Sequence, residues 1–233
     1  MKLRRAPIIV MWLAIAVAAG VLVATGLPTG QGNAEAAGFG GVHPVGPPLI
    51  KPKTFAPFAQ VDGVTLHLPQ ERPVGVMFHE AAHREAIAMA PYGICKRNGN
   101  PTRFRPPDPP APGRPYMVMA SRGRGTASTS AVDIAAPAGS ILYAPVSGTV
   151  VAVKAYWLYN THADIRVEIE PDGAPGLRVI MIHLERVVNV AVGDRVTASV
   201  TPIGRPRVLP FNSQTDTYTG THDPHVHLEI KRV

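Results

Sequence analysis

The chain has 233 residues, is 45% hydrophobic and carries a formal charge of +7, enough for one domain with a real core plus further segments, which excludes disorder throughout. Twenty-five prolines and 22 glycines against 6% aromatic residues point to short strands, many turns and stretches that cannot pack. Lys and Arg are scattered rather than clustered with aromatics, which argues against nucleic acid as a partner, and the single cysteine, Cys95, excludes an internal disulfide.

Residues 1–36 place Lys2, Arg4 and Arg5 ahead of an apolar run from Ile8 to about Leu27, the order of an export signal. Ala34 and Ala36 form an A-x-A pattern for signal peptidase; left uncut, the run is a membrane anchor. Either way the chain is expected outside the cytoplasm, secreted or in the cell envelope, where a basic protein suits an anionic surface. Residues 37–70 read as a Gly/Pro-rich tether with one alternating piece, VDGVTLHL. Residues 71–115 read as a short helix from His79 to Met89, alanine-rich and ended by Pro91 and Gly93, followed by a proline-rich connector.

The helical stretch opens with HEAAH, His79 to His83, which fits H-E-x-x-H: two histidines one turn apart with a glutamate beside them as general base. The helix is short, and no third ligand follows at a recognisable spacing. A packing or surface helix, an independent metal site, and a helix lending His79 to a site elsewhere are all open.

Residues 116–233 alternate in short runs broken by turn residues. SILYAPVSGTVVAV predicts two strands around Ser147 and Gly148, and DIRVEIEPDGAPGLRVIMIHL two more around a Pro-Asp-Gly turn. Leu177, Val179, Met181 and His183 share a face at period two, so His183 falls at the end of an apolar face. In DPHVHLEI, His225 and His227 lie side by side while Val226, Leu228 and Ile230 face the other way. The fold class expected is mainly β, an antiparallel sheet, sandwich or barrel, with a long N-terminal coil and one short helix.

Asp133, His183, His225 and His227 are the metal-compatible side chains of this last segment. Carboxylate and imidazole together are what a catalytic zinc uses, with three protein ligands and a fourth position for water. His43 and His67 in the tether, His162 in a loop and His222 near the pair read as solvated. Tyr156, Trp157 and Tyr159 read as rim packing or a cleft lining. SRGRG and RPR read as basic loops, solvated or gripping anionic polymers.

Three segments in order, VDIAAPAGSILYAPVSGTVVAV, VIMIHLERVVNVAVGDRV and DPHVHLEI, resemble the signature segments of the lysostaphin-type (LytM-like) zinc endopeptidases, which cut peptide cross-bridges in peptidoglycan. The resemblance covers the last half of the chain and implies a compact antiparallel β fold of the duplicated-hybrid-motif type. It also implies Asp133 and His227 as zinc ligands, with His183 and His225 polarising water and stabilising the transition state. The remaining family ligand, a histidine four residues before the aspartate, is Thr129 here, and a neutral hydroxyl binds zinc poorly.

Two resolutions follow. Another group, His79 above all among His79, Glu80 and His83, supplies the ligand, and the chain is an exported zinc-dependent envelope peptidase. Alternatively, the domain is a catalytically degenerate module that binds peptidoglycan or regulates another envelope protein. A third reading, an unrelated β-rich binding protein, requires Asp133, His183 and His227 to lie far apart.

Overall fold

The structure, a computed structural model, describes residues 54–186 and 188–233; the export segment and the first part of the expected tether lie outside the described residues. Six strands come first: β1 (Pro57–Val61), β2 (Val64–His67), β3 (Gly75–His79), β4 (Ala90–Pro91), β5 (Cys95–Asn98) and β6 (Tyr116–Val118). Then follow β7 (Ala131–Ala135), β8 (Leu142–Tyr143), β9 (Gly148–Leu158), β10 (His162–Pro171), β11 (Leu177–Leu184), β12 (Arg195–Val196) and β13 (Pro202–Gly204). A helix, α1 (Gln214–Thr219), precedes the last strand, β14 (His225–Arg232).

Nine strands form one sheet in the order β12-β9-β10-β11-β14-β7-β3-β6-β5, and β2-β1-β4 and β13-β8 form two smaller ones. The pairing is antiparallel except where β6 runs parallel to β3 and β5. Period-two side-chain alternation assigns the faces of the large sheet. Val76 and Phe78 of β3, Val132 and Ile134 of β7, and Val226, Leu228 and Ile230 of β14 enter the main core. There they join Phe58 and Leu66 from the β1–β2 hairpin and Leu142 and Ile203 from β8 and β13. The smaller sheets thus cover one face of the large sheet, and the opposite face of β3, β7 and β14 carries the polar residues.

Three expectations need correction. Residues 79–89 form no helix: β3 ends at His79 and an irregular segment follows. Helix propensity is a weak preference, and the alternation of GVMFH, which buries Val76 and Phe78 in the core, overrides it. The next residues are tied to the sheet instead, by Ile87 N–H donating to Ile230 O at 2.8 Å and Met89 N–H to Thr129 O at 3.0 Å.

The tether, in its described part from residue 54 onward, is folded: Phe55, Phe58, Leu66 and Leu68 are buried. The domain does not begin at residue 116 either, because β3 and β5, from the expected connector, are strands of the large sheet. Short hydrophobic runs among prolines hid these strands.

Phe78 is fully buried and packs edge-on against Tyr116 with ring centroids 5.4 Å apart, so removing everything before Tyr116 exposes the β6 and β7 edges and a face of the core. A fragment beginning at Tyr116 should lose cooperative thermal unfolding, monitored by calorimetry, while the full chain retains it. A fragment melting cooperatively at the full chain's temperature contradicts this architecture.

Candidate metal centre

Strands β14, β7 and β3 are consecutive neighbours, and their register sets His227 opposite Asp133 and Asp133 opposite Met77. His79 lies two residues beyond Met77 on the same face, opposite Ala131. The small Ala131 side chain leaves room for the imidazole to lean diagonally toward Asp133, a reach that long side chains on adjacent strands can make. Asp133 Oδ1 lies 3.0 Å from His79 Nε2 and 2.7 Å from His227 Nδ1. The three ligand atoms fall within 4.8 Å of one another, and all three residues are buried.

Hydrogen bonds at the far side of each ring set the tautomers. His79 Nδ1 faces the Glu80 carbonyl at 2.8 Å; the carbonyl can only accept, so Nδ1 carries the hydrogen and the Nε2 lone pair points at Asp133. Burial lowers the His79 pKa, with the Asp133 charge opposing but not prevailing, so the ring is neutral near pH 7. A bare nitrogen aimed at a carboxylate oxygen is an acceptor facing an acceptor, which a cation between them resolves. His227 Nε2 faces Glu229 Oε1 at 3.0 Å, which leaves Nδ1 as the atom directed at Asp133. Two imidazole nitrogens and one carboxylate, each histidine steadied by an outer acceptor, fit the donor set of a catalytic zinc.

Thr129 takes no part in this cluster. It sits in the turn before β7, where its carbonyl accepts from Met89. His83 Nδ1 instead bonds the second oxygen of Glu229. Glu80 turns away from the metal cluster toward Arg103 and Ser121.

Asp133 Oδ2 accepts from the Thr215 hydroxyl at 2.9 Å and lies 3.5 Å from the Arg122 guanidinium. Burial alone would raise the Asp133 pKa, but the three imidazoles around it, His79, His225 and His227, hold it well below the usual carboxylate range.

His183 reaches the same face by a backbone irregularity. The β10–β11 register steps from Val167↔Met181 to Ile165↔Leu184, so β11 carries one extra residue, a bulge. His183 has φ of 65°, a left-handed value uncommon for a non-glycine residue. Met181 and Leu184 both stay in the core, and His183 turns to the other face, not the apolar one that strict alternation assigns. Its ring lies 5.2 Å from that of His225 and 5.8 Å from that of His227, centroid to centroid. Its Nδ1 is 2.7 Å from Asp164 Oδ2, which also accepts from the Tyr156 hydroxyl at 2.9 Å.

His225 is buried, and its Nε2 lies 3.9 Å from Asp133 Oδ2. Burial lowers its pKa to about 4, against the partial opposition of Asp133. The cluster opens into a cleft of about 460 Å³ whose walls include Tyr156, Tyr159, Phe211 and Arg122.

The five candidate residues, His79, Asp133, His183, His225 and His227, are therefore brought together. Tyr156 and Tyr159 line the cleft, whereas Trp157, one residue out of phase on β9, is 64% exposed. His83 lines the same cleft, His43 lies outside the described residues, and three other histidines stand apart. His67 lies on β2 and bonds the Phe55 carbonyl, His162 packs on Phe211, and His222 lies against Asp216.

Sequence reasoning passed over Glu229, Asp164 and Thr215. Glu229 was within reach, since the period-two rule that pairs His225 with His227 also places Glu229 on their face. Thr215 carries a weaker signal. Ser213 and Asp216 form a capping box and Gly220 ends α1 with φ of 73°, a legible helix start and stop. Nothing in the local pattern links Asp164 to His183, because the bulge that joins them is invisible in periodicity.

No family model matches this chain, and no match is found among curated proteins. Among solved structures it is similar to lysostaphin, with 29% identity over 43% of this chain and a TM-score of 0.31. It is also similar to a mutant of the catalytic domain of the prophage-encoded M23 protein EnpA from Enterococcus faecalis, with 24% identity, 44% of this chain and 67% of that one covered, and a TM-score of 0.31. A zinc-containing peptidase from Vibrio cholerae is similar at 17% identity, over 48% of this chain and 30% of that one, with a TM-score of 0.32. The chain spans 35% of the length of lysostaphin.

Two predictions concern the metal. Burial lowers the His227 pKa, but the hydrogen bonds its ring donates to Asp133 and Glu229 more than compensate and lift it to about 9. At pH 7 the metal-free ring then carries a proton on each nitrogen, and zinc must expel the one on Nδ1. Affinity should rise about tenfold per pH unit between pH 7 and 9, with about one proton released per ion, and level off above. Calorimetry in buffers of different ionisation enthalpy measures that release; none at pH 7 rules out His227 Nδ1 as a ligand. Glu229→Gln, which takes the charge from behind His227, should weaken zinc binding about 10- to 100-fold in a chelator competition.

Proposed function

We propose that this chain is an exported, zinc-dependent peptidase of the cell envelope that hydrolyses peptide bonds in peptidoglycan. The observation that carries this reading is the convergence of His79, Asp133 and His227 within 4.8 Å, with two further histidines at the same cleft. The three motif segments of the last half support the substrate class. Lys2, Arg4 and Arg5 ahead of an apolar run support export.

His79 Nε2, Asp133 Oδ1 and His227 Nδ1 would hold the ion. Zinc in such a site supplies Lewis acidity toward a water and the scissile carbonyl. His183 does the proton work: with Nδ1 fixed on Asp164, its Nε2 can accept a proton from the attacking water and return it to the leaving nitrogen. The carboxylate behind it orients the ring and stabilises the imidazolium that forms between those steps. His225, neutral near pH 7, can donate a hydrogen bond toward the developing oxyanion. The apolar and aromatic walls formed by Leu158, Tyr159, Leu209 and Phe211 reduce competing water around these groups.

The rival reading, a non-catalytic module binding peptidoglycan or an envelope protein, rests on Thr129. A third donor supplied from β3 favours catalysis over it.

Zinc content and peptidoglycan cleavage measured together test the proposal. The full chain and Thr129→Ala should carry near-stoichiometric zinc; His79→Ala, Asp133→Ala and His227→Ala should lose it. His183→Ala should keep the metal and cut about 10²- to 10⁴-fold more slowly. A full chain that binds zinc yet releases no peptide fragments from peptidoglycan returns the advantage to the binding module.

A further inference from the structure

The SRGRG segment, residues 121–125, is not a solvated loop: its two arginines line the cleft beside the metal centre. Glu80 holds it there. The Glu80 carboxylate is 1% exposed, and its Oε2 accepts the backbone N–H groups of Arg122 at 2.9 Å and Arg124 at 3.0 Å. Its Oε1 accepts from Ser121 Oγ at 2.7 Å and from Arg103 at 2.6 Å. These four donors meet both carboxylate oxygens and anchor the loop. Gly123 and Gly125 have φ of 66° and 80°, left-handed values that let both alternate backbone N–H groups turn onto one carboxylate. Paired with Arg103, Glu80 fixes the loop without spending the charges of Arg122 and Arg124.

Arg122 is then oriented side-on to the cleft. Its Nε donates to Gln214 Oε1 at 2.6 Å and its Nη2 to Met119 Sδ at 3.4 Å, with Asp133 Oδ2 3.5 Å away. Arg124 Nη1 donates to the Glu80 carbonyl. Nη1 of Arg122, and Nε and Nη2 of Arg124, have no hydrogen-bond partner among the described residues. The carboxylate that meets the Arg122 guanidinium, Asp133, is already shared with His79 and His227. Two pre-positioned guanidinium groups with free donors at the edge of a cleft form an anion site, and their planar forks match a carboxylate.

Arg122 also borders Asp133, a proposed metal ligand, so an anion bound there lies within about one residue's span of the reacting carbonyl. That position suits the peptide itself rather than a polymer passing over the surface. We propose that Arg122 and Arg124 form a carboxylate subsite, and that the chain prefers peptides carrying a free carboxylate within about one residue of the scissile bond. This assignment rests on the peptidase reading and deepens it.

The test is binding of a matched pair to the zinc-loaded full chain: a soluble peptidoglycan stem pentapeptide with a free C-terminal carboxylate, and the same peptide as its carboxamide. Calorimetry should show the acid binding about 10- to 100-fold tighter than the amide. Arg122→Gln should bring that ratio to about threefold or less, and Arg122→Lys should restore only part of it, because an ammonium lacks the fork. Unchanged zinc content in both variants verifies that the centre is intact.

A ratio near one in the unaltered chain overturns the subsite. If neither peptide binds while peptidoglycan is still cleaved, the subsite falls and the peptidase reading stands; if cleavage is also absent, both fall. Glycerol 3-phosphate binding tighter than the acid peptide, and lost in Arg122→Gln, also overturns the assignment and points to a phosphate polymer.

Discussion

A carboxylate buried in the middle of a sheet is the constraint from which the site follows. Asp133 sits on β7 between β14 and β3, buried at the base of the cleft, and removing an ion from water costs several kcal/mol even after the surroundings relax. That cost is tolerable only if every lone pair of the group has a partner. Two imidazoles meet Oδ1, a threonine hydroxyl from α1 meets Oδ2, and a guanidinium lies close by. Each partner comes from a different segment, β3, β14, α1 and the 121–125 loop, so the arrangement around one side chain fixes four pieces of the chain on one face. The same partners make the position a candidate donor cluster: His79 presents a nitrogen lone pair, and His227 gains one when its Nδ1 proton leaves.

The opposite face makes that concentration of polar groups affordable. Val132 and Ile134 flank Asp133 in sequence and point into the main core with Phe78, Val226 and Leu228. Strand alternation thus separates, one residue apart, the apolar packing that holds β7 in place from the chemistry it carries. The exception is β11, where strict alternation would have sent His183 into the core. One inserted residue and a left-handed φ at His183 place the ring beside His225, while Met181 and Leu184 keep their places on the apolar side. The local strain is balanced by the Asp164 contact and by core packing on both sides of the bulge, a pattern common near functional sites.

How much of this was legible in the sequence depended on whether the signal was periodic. The His225–His227 face, the β9–β10–β11 meander and the mainly β class all follow from period-two runs and turn residues. The role of residues 54–115 did not, because its strands are two to five residues long and lie among prolines that suggest coil. Alanines after His79 mimicked a helix, yet β3 gains more from pairing with β7 than a short helix gains from propensity. His79 was singled out for its chemistry, and its placement by a strand register, not a helix face, is a long-range fact that local pattern cannot carry. Asp164 and the Glu80 clamp are hidden for the same reason: each depends on contacts between residues 19 to 44 positions apart.

The gap at Thr129 shows how a sheet separates ligand geometry from ligand order. A donor for a metal at Asp133 needs only to reach the space above that carboxylate, and a sheet offers several routes: along β7 and its preceding turn, across from β14, or across from β3. Four positions before Asp133, at Thr129, is the first of these routes. In the proposed centre His79 takes the route across, and Ala131, the residue it faces, is small enough to let the ring lean over. Reading ligands by spacing along the chain therefore reports a missing group where the pairing of strands brings in a candidate donor. The rule that survives the rearrangement is physical: a buried carboxylate on a central strand, with imidazoles from both neighbouring strands whose far nitrogens are held by fixed acceptors.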